Sequence, residues 1–485
     1  MSISKKSLLC AVLYLVSLHF CTFGFAETAN ESISDGIPIP QKQEVIVQLF
    51  NWQFADIEKI IPRLAELGYS HIHVSPPQKS NSIVDQWYRQ YQPVDFFTFE
   101  GLGSVDDFRS MCQTAQRNRM HILVDVVFNH MTGFSSQPDP PYFTMSDDGV
   151  CIIASNFPQL NDPNFFHEKR KYDNAREEEV LGWLFDDLAD LKTELPEVRE
   201  IAKQYLVFLK ELGASGFRFD AARHIEPDFY PEVLKAVPGT FSFAEIANEM
   251  EYAYVEYLPI NELSFYDFPL LVTMKRAFAL NGSLKTLIAP SSNQFSIEGK
   301  RSITFVRNHD IDRGQVKNGG FEDSPSREKF GVGWTENEDR DSGFLWREDV
   351  NLAYAYIFGR ESGFPYVFVD MPGDQEDCKD DRYDDIDIVA AIRFHNLCLT
   401  DTIADAKPEV WRICEDNVIG WQRGQDRFIV INKSAEPFRI NNLHTSLLSG
   451  NYQDIKAGSL YDVNENGIIL EWVIPPRTAL LLIKK

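Results

Sequence analysis

Four short stretches of this chain close an apolar run with acids and their companions. They read Asp125-Val126-Val127-Phe128-Asn129-His130, Arg218-Phe219-Asp220-Ala221-Ala222-Arg223-His224, Phe243-Ala244-Glu245 and Arg307-Asn308-His309-Asp310. One carboxylate at a strand end is commonly a helix cap. Several of them, beside His, Arg or Asn, are not explained by packing. They suit paired-carboxylate chemistry, in which one acid is ionised and another carries a proton. Arg218 lies two residues before Asp220, on the same face of an extended strand, and is expected to hold that carboxyl low. No cation adjoins Glu245 in sequence. Phe241 and Phe243 surround it with apolar material, which raises a carboxyl pKa.

Such stretches need a frame that gathers strand ends at one place. Eight short apolar runs fall at 45–50, 72–74, 122–128, 216–219, 241–244, 263–265, 303–306 and 366–369. The run at 122–128 is nearly continuous, as a parallel strand buried on both faces should be. Helical periodicity lies between the runs, for example at 54–67, 105–118 and 196–212. Ser104 can cap the second of these, and Asp106 and Asp107 favour its dipole. Eight strand–helix repeats predict a (β/α)8 TIM barrel, an α/β fold whose catalytic groups sit at the C-terminal ends of the strands. The third and fourth strands are separated by a long stretch with Pro138, Pro140, Pro141, Asp147, Asp148 and Gly149, which reads as an inserted subdomain. After about residue 402 the helical period ends, and alternating runs at 428–431, 468–473 and 479–483 predict a C-terminal antiparallel β-sandwich domain. The expected boundaries are 1–26 for a signal peptide, 27–128 for the first part of the barrel and 129–185 for the insertion. The remainder of the barrel is expected over 186–401 and the β domain over 402–485.

The signal is read from Lys5 and Lys6, an apolar stretch over 8–20, and small residues before a cleavage point after Ala26. It implies a secreted protein, extracellular or periplasmic, with no membrane attachment after cleavage. The 485 residues carry a formal charge of −25, and loss of the two signal lysines makes it −27. So negative a chain repels nucleic-acid phosphates, so nucleic acid is excluded as a partner. A neutral substrate suits it better. The five cysteines outside the signal, Cys112, Cys151, Cys378, Cys398 and Cys414, show no zinc spacing, and their pairing is not assigned. The acidic run over 374–387 reads as a solvated loop.

The four strand-end stretches resemble the signature regions of the α-amylases of glycoside hydrolase family thirteen. His73-Val74-Ser75-Pro76-Pro77, Leu188-Ala189-Asp190-Leu191 and Tyr91-Gln92-Pro93-Val94-Asp95 are similar to further segments of that family, in the same order along the chain. The resemblance runs from about residue 44 to the C-terminus. It implies Asp220 as the nucleophile, Glu245 as the general acid/base and Asp310 as the third carboxylate. It implies substrate contacts by Tyr91, His130, Arg218, Arg223, His224 and His309, with Asp125 orienting other groups. It further implies a structural Ca2+ held by Asn129, Asp190 and the carbonyl of His224. Chloride is left open, because Tyr366 stands where a third, basic ligand would be needed beside Arg218 and Asn308.

The function implied is a secreted, monomeric, retaining endo-α-amylase acting on α-1,4-glucans. An α-glucosidase or a glucan transglycosylase would share the chemistry. Arg223 in place of a Lys, Lys192, Arg307 and Tyr88 depart from the family's usual residues, so product lengths stay open. A metal-dependent amidohydrolase, suggested by His71-Ile72-His73, ranks far below, since the fourth strand ends in Asp220 rather than in a further His.

Overall fold

The structure is a computed structural model of the chain, and it describes residues 44–82, 86–135, 141–146, 152–279, 281–290, 295–312, 316–317, 320–321, 347–371, 383–399 and 408–485. The signal, Cys151, Cys378, the stretch containing Pro138 to Pro140 and most of the acidic run lie outside the described residues.

Eight strands close a barrel. They are β1 (Ile46–Leu49), β2 (His71–Val74), β3 (His121–Val126), β4 (Gly216–Phe219), β5 (Phe241–Ala244), β6 (Ser264–Tyr266), β7 (Ser302–Phe305) and β8 (Phe364–Val369). Each pairs in parallel with its sequence neighbours, and β8 returns to β1. Nearly every residue of these strands is buried, because side chains on one face fill the barrel and those on the other meet the helices.

The helices follow from local sequence. Helix α1 (Phe54–Leu67) ends at Gly68, whose φ of 98° is a left-handed conformation that suits glycine. Helix α2 (Val105–Arg117) starts with a full capping box. The Asp107 N–H donates to Ser104 Oγ, and the Ser104 N–H donates to Asp107 Oδ2 at 2.8 Å.

Between β3 and α4 (Pro196–Leu212) lies the insertion. It includes helix α3 (Ala175–Leu181) and the antiparallel strands His130–Gly133 and Leu188–Asp190, with His130 opposite Asp190. This pairing carries the insertion's own structure as far as Asp190.

Helices α5 (Phe268–Phe278), α6 (Arg347–Gly359) and α7 (Ile386–Cys398) follow later in the chain, and a short helix, Phe229–Leu234, lies between β4 and β5. The C-terminal domain is a six-stranded antiparallel sheet covered by a two-stranded one. In chain order its strands are β9 (Glu409–Cys414), β10 (Val418–Arg423), β11 (Arg427–Asn432), β12 (Phe438–His444), β13 (Gly450–Asp454), β14 (Leu460–Val463), β15 (Ile468–Ile474) and β16 (Thr478–Lys484). The larger sheet is ordered β9-β10-β11-β16-β13-β14, and β12 pairs with β15. Phe428, Val430 and Leu482 from the first sheet and Ile440, Trp472 and Ile474 from the second share one core, which makes a sandwich. Cys112 and Cys398 are buried, and Cys414 is exposed. No helix among the described residues is long and apolar enough to cross a membrane.

Candidate active site

The barrel strands aim their C-terminal ends at one cluster. The ladder of β3, β4 and β5 continues one step past the strands, through Asp220 N–H to the Val126 carbonyl and Glu245 N–H to the Phe219 carbonyl, both 3.0 Å. Asp220 and Glu245 are thereby set side by side. Ala221, at φ 46°, turns the backbone so that its N–H donates to Glu245 Oε2 at 3.0 Å. Asp310 comes from the short helix His309–Asp312 after β7, where Asn308 Oδ1 accepts the Ile311 N–H at 2.9 Å.

Arg218, fully buried on β4, is the hub. Its Nη1 donates to Asp220 Oδ1 at 2.6 Å and to Asp125 Oδ1 at 2.8 Å. Its Nη2 lies 2.8 Å from Glu245 Oε2, close in charge though off the line of a hydrogen bond. Glu245 therefore does have a cation beside it, supplied from β4 and invisible along its own stretch of sequence. Asp125 accepts a third contact from the Tyr91 hydroxyl at 2.7 Å, and His73 Nε2 stands 3.4 Å away.

Burial dominates the electrostatics. It pushes Asp220 up to about 8, with Glu245 and Asp125 adding to the rise and Arg218 pulling against it. The Arg218 contact was expected to hold this carboxyl low. It works in that direction but is outweighed by burial and by two carboxylate neighbours. Asp310 is raised well above the carboxylate range by burial and then by the neighbouring Glu245. Asp125 is different. Burial opposes its charge, but Arg218 and His73 outweigh that and hold it at about 2. The cluster thus keeps a firm anion at Asp125 and disfavours charge on Asp220 and Asp310, as like charges packed together must.

Aromatic rings wall this cluster. The His309 ring stacks on Phe50 at 4.8 Å and on Tyr91 at 4.9 Å, and its Nδ1 meets Gln48 Nε2 at 3.0 Å. Its Nε2 is 3.5 Å from Asp310 Oδ2. His130 is held by protein at both nitrogens, Nε2 by the Tyr91 carbonyl at 3.0 Å and Nδ1 by Asn129 Nδ2 at 3.2 Å. Burial lowers its pKa to about 4, so the ring is neutral. Arg223 and His224 lie against the insertion. Arg223 pairs with Glu179 of α3, and His224 Nδ1 meets the Glu179 carbonyl at 2.6 Å.

Asn129 and Asp190 are buried neighbours, with the Leu191 N–H donating to the Asn129 carbonyl at 2.9 Å. His167 Nδ1 holds Asp190 Oδ2 at 2.6 Å, while Asp190 Oδ1 is buried with no hydrogen-bond partner. Burial works against a charge on His167, yet its contacts with Asp190 and Glu194 raise it to about 9.

Gln48, Phe50 and the supporting role of His73 were not read from the sequence. A lone Gln inside Ile46-Val47-Gln48-Leu49 was the available signal for the first. His71 and His73 both face into the barrel. His71 stacks on His121 at 4.8 Å, and His73 Nδ1 meets the Tyr366 hydroxyl at 2.7 Å. No group of three or more His, Cys, Asp or Glu side chains is placed to hold a metal among the described residues.

The sequence profile described as the α-amylase catalytic domain matches residues 41–262. An α-amylase of Aeromonas hydrophila is 26% identical over 436 residues, covering 80% of this chain and 84% of the relative. An α-amylase of Clostridium acetobutylicum is 27% identical over 435 residues, and the match spans 86% of this chain but only 51% of that relative. The crystal structure of an α-amylase I variant from Eisenia fetida, solved with maltohexaose, superposes with a TM-score of 0.73 at 22% identity, over 91% of this chain and 97% of that one, and it shares the fold. With its barrel, its strand-end acids and these relatives taken together, the chain is similar to the α-amylases among the glycoside hydrolases, and the match to their catalytic domain runs over residues 41–262.

Proposed function

We propose that the protein is a secreted, retaining endo-α-amylase that hydrolyses α-1,4 bonds of starch or glycogen by double displacement. One observation carries this reading. A single buried guanidinium, that of Arg218, touches both Asp220 and Glu245. One guanidinium can hold two carboxyls only as near neighbours. That favours the short spacing, about 5–5.5 Å, of retaining enzymes over the wider one of inverting enzymes.

In the proposed reaction Asp220, whose ionised form the 2.6 Å contact to Arg218 favours against the effect of burial, attacks the anomeric carbon. Glu245 is the general acid/base: it delivers a proton to the leaving oxygen, then takes one from the water that cleaves the glycosyl-enzyme. Asp310 and His309 bind hydroxyls of the reacting sugar. The Tyr91 ring packs beside that sugar, held by Asp125. His130 acts through Tyr91, whose carbonyl it holds. Arg223 and His224 border the leaving-group side.

The residues at Asn129, Asp190 and the His224 carbonyl fit a structural Ca2+. The set offers oxygen donors, and the orphaned Asp190 Oδ1 is a buried acceptor in want of a cation. His167 fixes the other oxygen of that carboxylate, as second partners of metal ligands do. Bound there, calcium would tie the insertion to the barrel. Chloride is not part of the proposal, because Tyr366 is neutral and shares its hydroxyl with His73.

Asp220→Asn tests the site. It is expected to abolish hydrolysis of starch, by about 10^4-fold or more, with an unchanged melting curve. Near-normal activity would remove Asp220 from the mechanism. Glucose as the sole product from short oligosaccharides would favour the α-glucosidase reading instead.

A further inference from the structure

Gln48 is the one polar side chain of β1, and it is fully buried. Its amide is only half used. Nε2 meets His309 Nδ1 at 3.0 Å, while Oε1 is buried with no hydrogen-bond partner. An unpaired buried carbonyl oxygen costs stability, so packing alone would favour an apolar side chain here. Phe50 lies two residues further on, on the same face of the extended chain. Its ring stacks on that of His309 at 4.8 Å with the planes 9° apart, and Tyr91 stacks on His309 at 4.9 Å and 18°.

The two aromatic neighbours set the plane of the imidazole. They do not decide which nitrogen carries the proton, because that choice falls to hydrogen bonds in the plane of the ring. The Gln48 Nε2 group can only donate, so the Nδ1 it meets must accept. The ring proton then sits on Nε2, which stands 3.5 Å from Asp310 Oδ2 at the carboxylate cluster. With the amide turned over, Oε1 would draw the proton to Nδ1 and leave a lone pair facing the acid oxygen.

We infer that Gln48 is a positioning residue: its amide holds His309 in the tautomer protonated at Nε2, so that His309 donates to a hydroxyl of the glucosyl unit being cleaved. The inference rests on the α-glucan reading above. Long-range proton–nitrogen NMR of the full chain with labelled histidine tests the tautomer, the His309 signals being assigned by their loss in His309→Phe. The expected result is an unprotonated Nδ1 and a protonated Nε2, and a proton on Nδ1 overturns the inference. A double-mutant cycle tests the consequence. Gln48→Met keeps the length of the side chain without a donor, and His309→Phe keeps a ring at the stack without a nitrogen. Gln48→Met alone is expected to lower kcat/KM on maltohexaose by about 10- to 50-fold, mostly in kcat, with KM moved less than about threefold. In the His309→Phe background the same change is expected to cost less than about twofold. An equal cost in both backgrounds overturns the inference, since Gln48 would then act by packing alone, and so does a Gln48→Met chain with wild-type kcat/KM. A wild-type chain inert toward maltohexaose overturns the α-glucan reading, whereas an active wild type with the proton on Nδ1 overturns this inference alone.

Discussion

At the residue scale the site is organised by one cation among four acids. Arg218 touches Asp125, Asp220 and Glu245, and Asp310 joins through Glu245. Lysine would keep the charge but could not span two carboxyls with a planar fork. Arg218→Lys is therefore expected to lower kcat on starch by about 10^2–10^3-fold while moving KM less than about threefold. Steady-state kinetics check this, and a change confined to KM would mean that Arg218 only binds substrate. The acids themselves were legible, because carboxylates at the ends of apolar strands have no packing reason to be there. Their electrostatics were not. The cation beside Glu245 comes from β4, and the carboxylates that help lift Asp220 come from β5 and β3. Charge partners across a barrel leave no trace in the spacing along one strand.

At the element scale the barrel was legible because its strands are short apolar runs with helices at regular intervals. Each of the eight expected runs contains or overlaps a barrel strand. Gln48 was missed because one polar residue does not disturb an apolar run. Its role depends on His309, 261 positions away. The same packing makes several histidines neutral. Burial and the neighbouring His121 lower His71 to about 3, and burial lowers His130 and His224 to about 4. Their folded pKa values lie below the unfolded value of 6.5. The unfolded chain thus binds protons first, and stability falls as pH drops below about 6.5. His71→Phe, which keeps a ring at the stack with His121, is expected to remove about 2–3 kcal/mol of that loss at pH 4.5. Urea titrations at pH 7 and pH 4.5 read it. An unchanged difference between the two pH values would show that His71 is not held neutral.

At the scale of the whole molecule the C-terminal sandwich closes the ends of barrel helices. Lys433 Nζ donates to the carbonyls of Ala277, Ala279 and Gly282, each at 2.8 Å, at the C-terminus of α5. Trp421 and Arg423 do the same for Gly359 at the end of α6, at 3.0 and 2.9 Å. Free carbonyls at helix C-termini carry negative partial charge, so a buried ammonium among three of them is well placed. Lys433→Met is expected to cost about 2–4 kcal/mol of stability and to leave kcat unchanged at low temperature. Equilibrium unfolding with parallel assays checks both, and a loss below about 0.5 kcal/mol would show that the lysine is not a clamp. The sandwich was foreseen as alternating strands, but its docking was not, because Lys433 in sequence is an ordinary surface residue.

The account turns on Asp220 and Glu245 acting in two displacements at one anomeric carbon. Proton NMR of maltohexaose during the first minutes of cleavage, before mutarotation, reads the outcome. The account predicts that the new reducing ends appear as the α-anomer, and a β-anomeric first product would contradict it.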